Sequence, residues 1–173
     1  MHSTYASNLV LWGVQGFLAL FFLLASAPKL LGRGLERWTG FSALPRTQVV
    51  FIGATEVLGA LGLVLPMASG IAPWLTPLAA IGLATTVLMA AGFHLRANEY
   101  LEAVETVLWA SVATLVAIGR WGLVAATMHV PAWTIVAALG VLVPAAIVNV
   151  VILVMRPVRT DAAASAGASV RRA

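Results

Sequence analysis

Long apolar stretches separated by short polar ones make up most of the chain. Residues 8–31, 48–66, 74–95, 103–119 and 131–155 are each apolar nearly throughout. About 20 such residues, at roughly 1.5 Å of helical rise each, cross a hydrocarbon core about 30 Å thick. The pattern therefore predicts an all-α polytopic membrane protein with five spanning helices. Pro131 suits the first turn of the fifth helix, and Pro144 inside it predicts a kink. Residues 32–47 are polar, with Gly and Pro, although Leu35, Trp38, Phe41 and Leu44 suit the membrane surface. Residues 67–73 form an uncharged turn, and residues 96–102 a short charged connection. Arg120 and Trp121 close the fourth helix, while residues 122–130 either extend it or lie in the interface. The expected organisation is a bundle over 8–121, an additional helix over 131–155 and a basic tail over 156–173, disordered from Thr160 onward.

Composition narrows the class. Of 173 residues 61% are hydrophobic and 9% charged, against about 25% charged in a soluble domain. There is too little polar surface here to cover a water-soluble globule. No cysteine is present, which excludes disulfides, thiolate metal sites and thiol redox centres within the chain. Ala25-Ser26-Ala27 has the small-x-small form of a signal-peptide cleavage site, but no Lys or Arg precedes Lys29 and Pro28 would follow the cut. The first apolar stretch is therefore expected to be a retained helix.

The net charge of +4 reads as topology rather than nucleic-acid binding. Lys29, Arg33, Arg37 and Arg46 lie between helices 1 and 2, Arg96 between helices 3 and 4, and Arg156, Arg159, Arg171 and Arg172 after helix 5. Only Arg120 falls on the other set of loops. The positive-inside rule then puts the N-terminus outside and the C-terminus in the cytoplasm of a multi-pass cell-membrane protein. Trp12, Trp74, Trp121 and Trp133 form an outer aromatic belt in this arrangement.

Candidate chemistry centres on Glu56, the lone acid of the second span. An ionised carboxylate at that depth costs roughly 2.5 kcal/mol or more, so it is expected to face other helices, be paired or hold a proton. Gly53, Gly59 and Ala60 lie beside it at helical spacing, and their size lets neighbouring helices come close. Lys29 and His94 fall at the same membrane face, at the ends of helices 1 and 3. Lys29 reads as a snorkelling anchor or as the counter-ion of Glu56. His94 reads as a capping residue or a ligand. Glu99, Glu102 and Glu105 recur at i+3, as acids do in a solvated first helical turn, and Glu105 is a secondary candidate for the site. Gln15 and Asn149 are the other secondary candidates, with interhelical hydrogen bonding as their plainer role. The outer half offers little beyond Gln15, so a site is expected to open toward the cytoplasm. No HExxH, Cys/His cluster, nucleophile elbow or phosphate-binding loop occurs, and no metal is expected.

These residues resemble the DoxX-like membrane proteins of bacteria. The likeness rests on the FLLASAPKL segment ending in Leu30, GATEVLGALGL around Glu56, Leu65-Pro66, PWLTPLAA from Pro73, and Met89-Ala90-Ala91 with His94. It covers about residues 10–120. The resemblance implies a DoxX-like four-helix transmembrane bundle whose recurrent polar positions map onto Lys29, Glu56 and His94, with the fifth helix outside the pattern. It also implies links to a thiosulfate:quinone oxidoreductase subunit and to assembly or stress complexes.

With no complete catalytic set, the leading expectation is a non-catalytic membrane subunit or assembly factor. Its partners are the lipid bilayer and a membrane or cytoplasmic protein; a homo-oligomer is a further arrangement, and no nucleic acid is expected. No cofactor is predicted beyond a quinone, which belongs to the second expectation: a quinone-linked oxidoreductase subunit using Glu56, His94 and Lys29. The third is a small-solute or proton transporter using the same cluster.

Overall fold

The computed structural model describes residues 2–35 and 44–127. They form four helices, α1 (His2–Leu31), α2 (Arg46–Ser69), α3 (Leu75–Arg96) and α4 (Tyr100–Thr127). Each is long and apolar enough to cross a membrane. The fifth predicted span, the tail, and Trp38 and Phe41 of the interfacial segment lie outside the described residues.

The helices follow one another around a ring. α1 packs on α2, α2 on α3 and α3 on α4, and the α4–α1 seam that closes the ring is the thinnest. Short turns after α2 and after α3 make the helices they join antiparallel. Gly70, with φ 71°, ends α2 in the left-handed conformation that glycine adopts without penalty. Asn98 takes the same region, φ 60°, between α3 and α4. At the end of α1 the Arg46 guanidinium donates to the carbonyls of Lys29 and Leu30, satisfying acceptors that a helix C-terminus leaves open.

Five helix boundaries differ from the sequence reading. α2 begins at Arg46, and α4 at Tyr100, inside the connection expected over residues 96–102. α1 begins at His2 rather than near Asn8, because a helix continues into polar residues once its apolar part is held. α2 runs through Pro66 to Ser69, whose hydroxyl donates to the Leu65 carbonyl and accepts from the Ile71 amide. α4 continues past Arg120 to Thr127, the extension that is one of the two readings of residues 122–130, so Arg120 is an intrahelical residue and not a loop marker.

The core is built from small and medium side chains. Leu18 and Phe22 of α1, Leu63 of α2, Leu83 and Val87 of α3, and Val116 of α4 share one buried cluster with seven alanines: Ala19, Ala60, Ala80, Ala84, Ala110, Ala113 and Ala117. Lipid is as apolar as leucine, so close backbone approach and polar bonds hold such helices together rather than burial from water. The α2–α3 seam shows the closeness. A Cβ on Gly59 would sit 2.5 Å from Leu83 Cγ, and one on Gly62 would sit 2.7 Å from Ala79 Cβ. Large apolar side chains such as Leu20, Leu58, Leu88 and Leu115 are exposed around the outside, where lipid would meet them.

Candidate functional site

Glu56 lies on the inward face of α2, with Gly53, Ala60 and Leu63 buried along the same face. It is 4% exposed, and Lys29, at the last turn of α1, is 8% exposed. The Lys29 ammonium donates to both Glu56 oxygens, at 2.8 Å to Oε1 and 2.7 Å to Oε2, and to the Ala25 carbonyl at 3.1 Å. Those acceptors match the three donors of an ammonium. Gly53 makes the reach possible. A Cβ there would lie 3.0 Å from Lys29 Cβ and 3.2 Å from the Leu30 side chain, so α1 settles directly onto α2 one turn before the carboxylate. Of the two readings of Lys29, the geometry is that of the counter-ion: its stem runs inward along apolar surface and its charge ends on Glu56.

The pair forms part of the wall of a cavity of about 700 Å³ between the helices. Its lining is predominantly apolar, with Phe21, Phe22, Phe51, Phe93 and Trp109 contributing aromatic rings. Besides Lys29 and Glu56, the charged or titratable lining residues are His94, Glu102 and Glu105. His94 Nδ1 lies 2.7 Å from Glu99 Oε2, which orients the imidazole. Its Nε2 has no hydrogen-bond partner among the described residues. Glu105 accepts a 3.1 Å bond from the Trp109 indole N–H one turn on, and that indole stacks on Phe21 of α1 at 4.1 Å between centroids. Lys29, Glu56, His94 and Glu105 therefore meet around one space at one end of the bundle. Chemically, the site joins an apolar volume that suits a lipophilic body to a carboxylate–ammonium pair and an imidazole nitrogen, groups that accept and donate protons.

Gln15 belongs elsewhere. It is fully buried and donates through Nε2 to the Leu63 carbonyl at 2.7 Å. Its Oε1 accepts from Arg120 Nε at 2.6 Å. Arg120 also donates to Asn8 Oδ1 at 2.6 Å and lies 5.7 Å from the centroid of the Trp12 ring. This second polar cluster, on α1, α2 and α4, corrects the expectation that the half of the bundle away from Lys29 offers little beyond Gln15. Among the described residues no carboxylate pairs with Arg120. A sequence signal existed: Asn8 and Gln15 stand seven residues apart, two turns along one face of α1. Asn149, the remaining candidate, lies outside the described residues.

No curated protein and no solved structure matches the chain significantly. The profile of the DoxX-like family matches residues 13–118, more than half of the sequence and the whole stretch from Gln15 to Glu105. With four apolar helices long enough to span a bilayer, the chain is a multi-pass membrane protein that belongs to the DoxX-like family.

Proposed function

We propose that this protein is a non-catalytic membrane subunit that holds a lipophilic small molecule in the space between its helices. The observation that carries the reading is the cavity of about 700 Å³, mostly apolar, with the buried Lys29–Glu56 pair in its wall. Pockets of this size and lining suit drug-sized ligands oriented by a few polar groups. The cavity end also carries Arg33, Arg46 and Arg96, which supports its facing the cytoplasm under the positive-inside rule.

The test is equilibrium dialysis with the full chain in lipid nanodiscs against empty ones. Three probes serve: a short-tailed benzoquinone, triphenylphosphine oxide and methyltriphenylphosphonium. Saturable binding of at least one is expected, together with its loss in Ala90→Trp, which fills the cavity. If none of the three binds above the empty discs, the reading fails. The role as a subunit has its own measurement, co-purification from mild detergent, where a strictly solitary protein with intrinsic turnover would overturn it.

A quinone-linked role is the second reading. The aromatic lining, the Lys29–Glu56 pair and His94 favour it, since a quinone's flat ring suits such walls and its reduction takes up protons that groups of this kind can supply. Binding of the benzoquinone that Glu56→Gln removes, with the elution volume of the purified protein unchanged, is the expected result. A protein that neither binds nor reduces quinone rules it out.

A further inference from the structure

Among the described residues that line the cavity the charges do not cancel. Glu56 is matched by Lys29, bonded through both carboxylate oxygens. Glu99 takes the Nδ1 side of His94 at 2.7 Å. That leaves Glu102 and Glu105, both lining the cavity from the first turns of α4. Among the described residues no base pairs with either, and Glu105 accepts its hydrogen bond from the neutral indole of Trp109. Arg46, the nearest base along α2, spends its guanidinium on the carbonyls of Lys29 and Leu30. Among the residues that line the cavity, acids therefore outnumber bases where α4 begins, while Arg33, Arg46 and Arg96 lie at that end outside the lining. Facing it from α1 and α3 are Phe21, Phe22 and Phe93, with Trp109 of α4 beside them. Aromatic faces attract cations, and the two carboxylates, half-buried at Glu102 and exposed at Glu105, add their own attraction at the cavity's rim.

We propose that the molecule taken by this cavity is a lipophilic organic cation: an amine, quaternary ammonium or phosphonium centre on an apolar body. Its charge lies beside Glu102 and Glu105, and its body lies against the aromatic walls. The inference rests on the ligand-binding reading above and adds the sign of the ligand's charge. A neutral ligand gains nothing from the two unmatched carboxylates, and an anion is repelled by them.

Methyltriphenylphosphonium and triphenylphosphine oxide have nearly the same shape and differ by one charge, so the dialysis experiment separates the two claims. The cation is expected to bind at least about tenfold more tightly, one decade in the dissociation constant. In the double variant Glu102→Gln/Glu105→Gln that advantage is expected to vanish while the phosphine oxide still binds, which also shows that the variant is folded. Equal affinities in the parent chain, or an undiminished preference in the double variant, overturn the charge assignment and leave the cavity reading standing. If no probe binds, both fall together.

Discussion

Lys29 and Glu56 neutralise each other in a place where neither charge is tolerated alone. Removing one partner from a buried pair leaves an uncompensated charge, at a cost of about 3–5 kcal/mol. Glu56→Gln and Lys29→Met are each expected to lower stability by that order in a detergent unfolding titration. The double replacement Lys29→Met/Glu56→Leu is expected to unfold close to the parent chain, because a well-packed apolar pair often replaces a buried ion pair without loss. Two single variants no less stable than the parent would show that the pair does not hold α1 to α2. Arg120 follows similar logic with neutral partners. Arg120→Leu leaves Gln15 Oε1 and Asn8 Oδ1 without their donor, an expected loss of about 1–3 kcal/mol per buried group left unsatisfied. Adding Gln15→Leu to that variant should recover part of it. The first pair was legible only in part: a lone acid in a span calls for a partner, but Lys29, at a helix end among other bases of the same face, read as a snorkelling anchor as much as a counter-ion. Arg120 was not legible, because a base ending an apolar run looks like a boundary until its acceptors, 105 and 112 residues away, are seen.

The helices themselves were largely readable because the bilayer requires long apolar runs. Their ends were less so, since a helix stops where its backbone finds caps and not where hydrophobicity falls. Ser69 and Gly70 end α2 beyond Pro66, and Thr127 is the last residue of α4 well past Arg120. The small residues flanking Glu56 gave a stronger signal, because they act through space: Gly53 admits α1 and Gly59 admits Leu83 of α3. Glycines differ in consequence. Gly62→Ala brings a Cβ within 2.7 Å of the Cβ of Ala79, which has no torsion with which to retreat, so α2 and α3 must separate. A loss of about 1–3 kcal/mol is expected, as for other overpacked sites. Gly13→Ala meets nothing within 4 Å, and is expected to be neutral or to stabilise by up to about 1 kcal/mol through helix propensity. Thermal unfolding of the two variants in the same detergent makes the comparison. Equal melting temperatures would contradict the close α2–α3 contact.

For the molecule as a whole, the membrane class was plain from composition. The cavity was not, because volume arises only when four helices meet. The sequence placed Lys29, Glu56 and His94 at one membrane face, but it gave no hint that Phe21 and Trp109 stack across α1 and α4 beside them. Orientation remains a prediction at this scale, and the absence of cysteine makes it simple to check. With the N-terminus outside, a cysteine placed at Ser7 is expected to react with a membrane-impermeant maleimide on intact cells. One placed at Ala97, in the turn between α3 and α4, is expected to react only after lysis. The opposite labelling pattern would invert the topology and turn the cavity away from the cytoplasm.

Arg120 ties the last of these helices to the first, through Asn8 and Gln15. During synthesis α1 emerges well before α4, so the Gln15 carbonyl oxygen waits in the membrane for a donor that has not yet been made. The ring is latched at its outset by a residue near its finish. Chains shortened before Arg120 lack the latch, and quality-control proteases are expected to find them first.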